Sequence, residues 1–249
     1  MRQRILITGA SSGLGAQMAR QWGASGRDLA LCARRLDRLT ALRDELGLAN
    51  PAARVEVRAL DVTDFEAVLR TFAELDETLG GLDRVVVNAG LGKGAPIGTG
   101  RFAANRETIE TNVLGALAQC EAAMQLFRAR GRGHLVVISS MSARRGMPGS
   151  MTAYAASKAA VASLAEGLRA ELIGTPIKVT TLFPGYIRSE MHEKAAGRTP
   201  LMSGTEAGVR AMIRAIEREV AASAVPPWPW KALTPVLRYA PLRLVRRLR

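Results

Sequence analysis

The sequence predicts an α/β fold: a single domain built on a doubly wound parallel sheet of about seven strands. Three observations lead to this prediction. Short runs rich in Val, Ile and Leu recur along the chain, segments with helical spacing alternate with them, and a glycine-rich turn follows the first run. Continuous apolar strands joined by helices are typical of a parallel sheet covered on both faces. A chain of 249 residues is long enough to bury the core of one such domain.

The predicted strands and helices alternate up to position 225. The strands are Ile5–Thr8, Leu29–Cys32, Val55–Leu60, Arg84–Asn88, Leu135–Ser139, Lys178–Phe183 and a weaker Ala221–Val225. The helices are Gly15–Gly23, Leu36–Leu46, Asp64–Leu79, Asn105–Arg130, Ala153–Ile173 and Thr205–Val220. Open sheets of this kind bind ligands at the carboxyl ends of their strands, so residues that follow strands are the first candidates for a functional site.

The composition of the chain changes after Val225, and the segment Pro226–Trp230, rich in proline and tryptophan, is predicted to interrupt regular structure. We therefore divide the chain into a domain at residues 1–225 and a basic tail at residues 226–249. The tail has six lysine or arginine residues and no aspartate or glutamate, within a net charge of +13 for the chain. That charge suggests nucleic acid, a membrane surface or an anionic ligand as partners. No nucleic-acid recognition motif is present and aromatic residues are few, so we expect no specific nucleic-acid binding.

The start of the chain and its cysteines predict a reduced, cytoplasmic protein. The first strand follows Met1–Arg4 directly, which leaves no room for the apolar core of a signal peptide. Cys32 and Cys120 lie far apart inside apolar segments, and we expect buried free thiols. His134 and His192 have no partners at ligand spacing, so we expect no metal site.

The turn after the first strand has the composition of a phosphate-binding loop. Gly9, Gly13 and Gly15 let the backbone approach a pyrophosphate, and the helix that begins there offers unpaired N–H groups. Tight packing of strand and helix is the alternative reason for these glycines. After the second strand, Arg34 and Arg35 stand where an acidic residue would accept ribose hydroxyls, whereas arginine pairs with a 2′-phosphate. We therefore expect NADP(H) in preference to NAD(H), the alternative being a solvated arginine pair.

Tyr154 and Lys158 lie at positions i and i+4, on one face of a predicted helix. An unperturbed phenol titrates near pKa ~10, and a neighbouring cation favours the phenolate. The pair can therefore act as an acid–base centre.

Together these residues resemble the short-chain dehydrogenase/reductase family over about residues 4–225. The motifs that carry the resemblance are Thr8-Gly9-(three residues)-Gly13-Leu14-Gly15, Asp61-Val62, Asn88-Ala89-Gly90, Asn112, Ser140, Tyr154-(three residues)-Lys158 and Pro184-Gly185. They occur in the family's order and close to its usual spacings. The resemblance implies a Rossmann-like fold and an NAD(P)(H)-dependent oxidoreductase.

The resemblance also implies a role for each residue. Cofactor contacts would come from Gly9, Ser11, Ser12, Gly13, Leu14 and Gly15 at the pyrophosphate, Arg34 and Arg35 at the 2′-phosphate, and Asp61 and Val62 at the adenine. Further contacts would come from Asn88, Ala89 and Gly90 beside the cofactor, from Pro184, Gly185, Ile187 and Ser189 at the nicotinamide carboxamide, and from Tyr154 and Lys158. Catalysis would use Asn112 to position a water in a proton relay, Ser140 to polarise the substrate carbonyl, Tyr154 as general acid, and Lys158 to hold the cofactor ribose and favour the tyrosinate.

Two positions depart from the family pattern. Ser189 stands where the family more often has threonine, although the hydroxyl is kept. The separation of Ser140 and Tyr154 is one residue longer than is common, so Ser139 or Ser142 are alternatives for the functional hydroxyl. We favour Ser140 because it directly follows the predicted strand end and so lies at the carboxyl edge of the sheet.

These residues predict an NADP(H)-dependent carbonyl reductase or alcohol dehydrogenase that acts on a hydrophobic or lipid-like ketone or alcohol. The alternative is a non-catalytic NADP(H)-binding regulatory protein, although the chain keeps the serine, tyrosine, lysine and asparagine. In the family, the helices predicted at Asn105–Arg130 and Ala153–Ile173 usually form the subunit interface. We therefore expect a homo-oligomer, a dimer or a tetramer.

Substrate choice is expected to depend on segments around the site. Residues 186–203 form an irregular stretch where the family places its substrate lid. Its methionines, and those between the serine and the tyrosine, could line an adaptable pocket or fill gaps in the core. Arg144, Arg145, Arg188 and His192 could meet an anionic group of a substrate or be solvated surface charges.

The tail has the pattern of an interfacial anchor. Leu242, Val245 and Leu248 recur at three-residue spacing with arginines between them, and Trp228 and Trp230 precede this segment. This pattern predicts peripheral attachment to the inner face of an anionic membrane. A tail that packs on its own domain or on a partner subunit is the alternative.

Overall fold

In the computed structural model, which describes residues 2–188 and 201–246, seven strands form one parallel sheet. They are β1 Arg4–Thr8, β2 Asp28–Ala33, β3 Val55–Ala59, β4 Arg84–Val87, β5 Gly133–Ile138, β6 Ile177–Pro184 and β7 Ala222–Val225. Their order is β3-β2-β1-β4-β5-β6-β7, and each neighbouring pair is parallel. The strand order reverses between β1 and β4, the switch point at which such sheets bind ligands. The predicted doubly wound, Rossmann-like fold is confirmed.

Helices cover both faces of the sheet. They are α1 Gly13–Ala24, α2 Leu36–Ala49, α3 Phe65–Thr78, α4 Phe102–Ile109, α5 Gly115–Arg130, α6 Thr152–Glu171, α7 Thr205–Glu217, α8 Pro227–Tyr239 and α9 Leu242–Val245. One apolar core lies between the sheet and α3, α5 and α6, and the other between the sheet and α1, α2 and α7. Successive strand residues point to opposite faces, so Leu6 packs in the first core and Ile5 and Ile7 in the second.

The helix predicted at Asn105–Arg130 is present as one continuous helical segment that contains a π turn, which was not predicted. The structure has α4, then a π turn at Glu110–Leu114, then α5. A π turn adds one residue to a helical turn and leaves the apolar spacing on each side intact, which is why periodicity did not detect it. The turn contains Asn112, one of the predicted site residues.

The tail is helical where an interruption of regular structure was predicted. Only Trp228 within α8 has a non-helical backbone, with φ −100° and ψ 133°. The inner face of α8 packs on the domain through Trp230, and its outer face is exposed. Val245 is 2% exposed and Leu242 is 71% exposed, so these two residues of the three-residue repeat have different surroundings. The third member, Leu248, lies outside the described residues.

A buried polar network joins the amino ends of β4 and β5 to α1 and α7. Arg84 Nε donates to His134 Nδ1 at 3.0 Å, and Arg84 Nη1 donates to Glu217 Oε1 at 2.7 Å. Trp22 Nε1 donates to the same carboxylate oxygen at 2.9 Å, and His134 Nε2 lies 2.9 Å from Thr180 Oγ1. Burial, followed by the charge of Arg84, lowers the pKa of His134 to about 2. The imidazole is therefore neutral and serves as a structural acceptor.

Candidate active site

The turn between β1 and α1 leaves space for a pyrophosphate. Gly9 has φ +63°, and a Cβ built there would lie 2.9 Å from Ala89 Cα. A Cβ on Gly15 would lie 2.4 Å from the carbonyl oxygen of Gly9. Helix α1 starts at Gly13 without a side-chain cap from Ser12, so N–H groups of its first turn face the turn unpaired by that side chain. This cradle fits the phosphates of a dinucleotide.

Both predicted arginines lie at the carboxyl end of β2, beside the turn. Arg35 donates through Nε to Ser11 Oγ at 3.2 Å and through Nη2 to Ser12 Oγ at 2.8 Å. Arg34 is exposed, and its Nη1 lies 3.9 Å from Asp61 Oδ2. Two guanidinium groups and two hydroxyls thus lie together beside the glycine turn. Such donors suit a phosphate better than a neutral ribose hydroxyl.

The end of β4 is hydrogen-bonded to the glycine turn. Asn88 Nδ2 donates to the carbonyl oxygen of Thr8 at 2.8 Å, and the N–H groups of Asn88 and Ala89 each donate to Thr8 Oγ1 at 3.1 Å. Thr8 Oγ1 also lies 2.7 Å from Gln119 Oε1 in α5. Thr8 was predicted only as the first residue of the glycine motif, without a role of its own, and Gln119 was not predicted. The buried polar Gln119 on an otherwise apolar helix face was the available signal.

Asn112 is 1% exposed and makes three hydrogen bonds from the π turn. Its Oδ1 accepts from the N–H of Leu91 at 2.7 Å, and its Nδ2 donates to the Leu91 carbonyl at 2.9 Å and to Ser157 Oγ at 3.0 Å. Ser157 Oγ donates to the carbonyl oxygen of Tyr154 at 2.7 Å. These bonds connect the loop after β4, the π turn and the first turns of α6, where the predicted catalytic residues lie.

Tyr154 lies in the first turn of α6, next to the loop that follows β5. Burial raises the pKa of Tyr154, and a hydrogen bond with Ser140 opposes part of that rise. Lys158 is 7% exposed, and its Nζ donates to the Ile138 carbonyl at 3.0 Å. Burial lowers the pKa of Lys158 to about 8. Lys158 Nζ lies 6.0 Å from the Tyr154 ring centroid, and its role in favouring the tyrosinate stays a prediction.

The three serines after β5 have different surroundings. Ser139 is buried, and its Oγ donates to the Lys158 carbonyl at 2.7 Å. Ser142 donates through Oγ and N–H to Ser140 Oγ, at 3.0 and 3.2 Å. Among the described residues, Ser140 is the one of the three serines whose side chain lowers the pKa of Tyr154. This geometry favours Ser140 as the hydroxyl that faces a ligand.

Glycine at position 90 allows two predicted catalytic groups to approach each other. A Cβ on Gly90 would lie 3.1 Å from Asn112 Oδ1 and 3.3 Å from Lys158 Nζ. Val62, predicted near the adenine, is 6% exposed and packs against Gly115 at the start of α5.

The segment after β6 is anchored at its base. Pro184 ends β6, and Ile187, which is 1% exposed, pairs with Ser203. Residues 189–200, which include the predicted Ser189 and most of the predicted lid, lie outside the described residues.

A side wall beside the site is formed by Met141, Phe183, Tyr186 and Trp230. Trp230 is 5% exposed and packs with Met141 and Phe183, and its ring lies edge-on to Tyr186 with centroids 5.5 Å apart. A Cβ on Gly185 would lie 2.1 Å from the Trp230 indole. The tail helix therefore reaches the segment predicted to hold the nicotinamide.

The parallel sheet with its switch point, the glycine cradle and the serine–tyrosine–lysine group define an oxidoreductase that uses a nicotinamide cofactor. The family model described as short chain dehydrogenase matches residues 3–200. The chain belongs to the short-chain dehydrogenase/reductase family.

Proteins similar to this chain in sequence or structure are described as oxidoreductases or dehydrogenases. An uncharacterized oxidoreductase of Mycobacterium tuberculosis is 56% identical over 99% of this chain and 97% of that protein. An uncharacterized oxidoreductase of Myxococcus xanthus is 39% identical over 92% of this chain and 88% of that protein. An alcohol dehydrogenase from Thermococcus sibiricus, solved with 5-hydroxy-NADP, has a similar structure, with a TM-score of 0.79, 26% identity, and coverage of 89% of this chain and 95% of that one.

Two further features concern partners. None of the helices in residues 2–188 and 201–246 has the length and apolar character needed to cross a bilayer. Over the same ranges, no three or more His, Cys, Asp or Glu side chains are grouped as metal ligands would be.

Proposed function

We propose that the chain is an NADP(H)-dependent carbonyl reductase or alcohol dehydrogenase. The observation that carries the proposal is that Lys158 Nζ is hydrogen-bonded to the carbonyl at the end of β5, so that it shares the carboxyl edge of the sheet with Tyr154, Ser140 and the pyrophosphate cradle. When bound, the nicotinamide supplies hydride to a carbonyl carbon or takes it from an alcohol carbon. Side chains of this protein bind the substrate oxygen and transfer the proton.

In the reducing direction, negative charge develops on the substrate oxygen. The hydroxyls of Ser140 and Tyr154 act as aimed donors to that oxygen, which lowers the barrier. Tyr154 then transfers its phenolic proton to the oxygen, so that one hydride and one proton convert the ketone to an alcohol. A raised pKa keeps this phenol protonated at neutral pH, as a general acid requires.

The tyrosine must recover a proton after each reduction. Lys158, whose pKa is about 8, can exchange a proton near neutral pH, and its charge stabilises the transient phenolate. Asn112 Oδ1 accepts one hydrogen bond from Leu91 and has a second lone pair for a relay water. Solvent protons would pass along this route.

The basic groups at the end of β2 support NADP(H) in preference to NAD(H). Arg35 is held across Ser11 and Ser12, and Arg34 is exposed beside it, so a 2′-phosphate would meet two cations and two hydroxyls. The structurally similar archaeal alcohol dehydrogenase was solved with an NADP derivative.

We also propose a cytoplasmic protein with a hydrophobic, lipid-like substrate, whose tail at residues 226–249 touches the inner membrane face. The outer face of α8 and α9 supports this, with Trp228, Tyr239 and Leu242 at 78%, 76% and 71% exposed among lysine and arginine residues. Flotation with phosphatidylglycerol vesicles tests it. A variant with these three residues changed to serine should remain in solution. A truncation at Val225 is less informative because it removes the buried Trp230.

A homo-oligomer, dimer or tetramer, is proposed from apolar side chains on the outer face around α5. Leu114 and Leu117 are 43% and 46% exposed there. Light scattering after size exclusion should give a mass of two or four chains, and a monomer would contradict the proposal.

The decisive experiment is NADPH oxidation against carbonyls from small ketones to long-chain β-keto esters, with Tyr154→Phe as the control. We expect turnover that falls by about 10²- to 10⁴-fold in the variant, with NADPH affinity unchanged. Tight NADPH binding without turnover of any carbonyl would instead favour a non-catalytic regulatory protein.

A further inference from the structure

Arg144 has an unusual environment beside the proposed site. Its guanidinium carbon lies 3.6 Å from the centroid of the Phe183 ring, so one face of the group is stacked on an aromatic side chain. Its Nε is buried and has no hydrogen-bond partner. Among the residues that the structure describes, none forms an ion pair or hydrogen bond with this guanidinium. Arg84, the more deeply buried arginine, is by contrast paired with Glu217.

The charged groups around Arg144 do not neutralise the positive charge of its guanidinium. Burial lowers the pKa of Arg144, and Arg238 of α8 acts in the same direction, while Glu166 of α6 opposes them from beyond ion-pair distance. Arg145 donates to the Arg238 carbonyl at 2.5 Å. Arg144 is thus influenced by one further guanidinium, that of Arg238, and by one carboxylate that does not form an ion pair with it. An unpaired, partly buried charge is costly, and a bound anion would remove that cost.

Arg144 lies one short turn after Ser140, one of the proposed catalytic residues. Ser140 is the N-cap of a 3₁₀ turn at Met141–Arg144, and four residues at about 2 Å each separate the two ends by about 8 Å. Phe183, on which the guanidinium stacks, belongs to the side wall and precedes Gly185 by two residues. A ligand whose carbonyl meets Ser140 would therefore have to carry its anionic group about 8 Å away to meet Arg144.

We infer that Arg144 binds an oxyanion, a carboxylate or phosphate, carried by the substrate. A planar guanidinium matches such groups with paired hydrogen bonds, and its stacking on Phe183 fixes its plane in advance. The substrate then combines a carbonyl with an anionic group about 8 Å away from it. This inference rests on the proposed carbonyl reductase function and adds the class of substrate to it.

A binding experiment tests the anion site without turnover. The probes are decanoate and inorganic phosphate, measured by calorimetry on the full chain. Arg144→Met keeps an unbranched side chain on Phe183 and removes the charge, whereas Arg132→Met removes one exposed charge at the opposite edge of the sheet. We expect decanoate to bind at least 10-fold more weakly to Arg144→Met and unchanged to Arg132→Met. Equal weakening in both variants, or in neither, would overturn the inference.

A lipid headgroup offers the same chemistry as a substrate phosphate, and vesicles separate the two sources. Binding to phosphatidylglycerol vesicles should be the same for the wild-type chain and Arg144→Met. If the variant loses vesicle binding and keeps decanoate binding, the anion comes from the membrane and the inference fails.

Steady-state kinetics with NADPH then test the role in substrate choice. For a longer keto acid, whose carbonyl and carboxylate are as far apart as Ser140 and Arg144, kcat/KM should fall by about 10- to 100-fold in Arg144→Met, and for its methyl ester it should stay within about twofold. Arg144→Lys should recover part of the loss, which also guards against a misfolded methionine variant. Parallel losses on acid and ester would refute the inference. If the wild-type chain reduces neither compound, the proposed function fails, and the decanoate measurement still decides whether Arg144 is an anion site.

Discussion

The neutral, buried imidazole of His134 predicts how the fold loses stability in mild acid. His134 is 0% exposed and accepts a hydrogen bond from Arg84, and its pKa is lowered to about 2. In the unfolded chain a histidine titrates near pKa ~6.5. Below that pH the unfolded state binds a proton that the folded state does not. The stabilisation is therefore complete above pH ~6.5 and is lost progressively as the pH falls.

The size of the effect follows from linkage. Well below the unfolded pKa, the free energy of unfolding falls by about 1.4 kcal/mol per pH unit for one histidine. Between pH 7 and pH 5 the loss amounts to about 2 kcal/mol. The carboxylate of Glu217 has a lowered pKa and costs stability only as the pH falls below its unfolded value, near pH ~4.3. The interval from pH 7 to pH 5 therefore isolates the histidine.

Urea unfolding followed by tryptophan fluorescence at pH 7 and pH 5 measures this. The wild-type chain should lose about 2 kcal/mol between the two values. His134→Gln should be less stable at pH 7 but nearly independent of pH over this interval. His192→Gln, which removes the other histidine of the chain, should keep the wild-type slope. Parallel pH dependence in the wild-type chain and His134→Gln would refute the reasoning.

Three further predictions concern the cofactor, the serine and the tail. Arg35→Ala should lower kcat/KM for NADPH by about 10- to 100-fold and change that for NADH little, because it removes charged hydrogen bonds to a 2′-phosphate; equal loss with both would contradict the assignment. Ser140→Ala should lower kcat by about 10²- to 10³-fold, whereas Ser142→Ala, which removes only a donor to Ser140, should cost less than about 10-fold. Trp230→Ala should lower the free energy of unfolding by about 3–5 kcal/mol, and Trp228→Ala, 78% exposed, by no more than about 0.5 kcal/mol in urea titrations.

The strands were predictable because each is a short apolar run between helices, and the first, Arg4–Thr8, differs from its prediction by one residue. The π turn was not predictable, because one added residue does not change the apolar pattern on either side of it. The helical tail was missed because proline is compatible with the first turn of a helix, and the break is confined to Trp228.

Most residues of the candidate site were named from the sequence, whereas the contact between Thr8 and Gln119 and the directions of the pKa shifts were not predicted. Thr8 and Gln119 are 111 residues apart, so no local pattern indicates their contact. The i,i+4 spacing places Tyr154 and Lys158 on one helix face, but burial decides the direction of both pKa shifts. Burial follows from how distant segments pack, which spacing along one helix does not encode.

The close approach of Trp230 to Gly185 implies that the side-chain sizes at these two positions depend on each other, although the positions are far apart in sequence. A methyl group at position 185 would overlap the indole, with 2.1 Å between the added carbon and the ring. A larger side chain at 185 is then compatible with the fold only when position 230 carries a smaller one. Among close homologues, these two positions should therefore vary together. Chains that replace the glycine should lack the tryptophan, and their helix α8 would lie further from the end of β6.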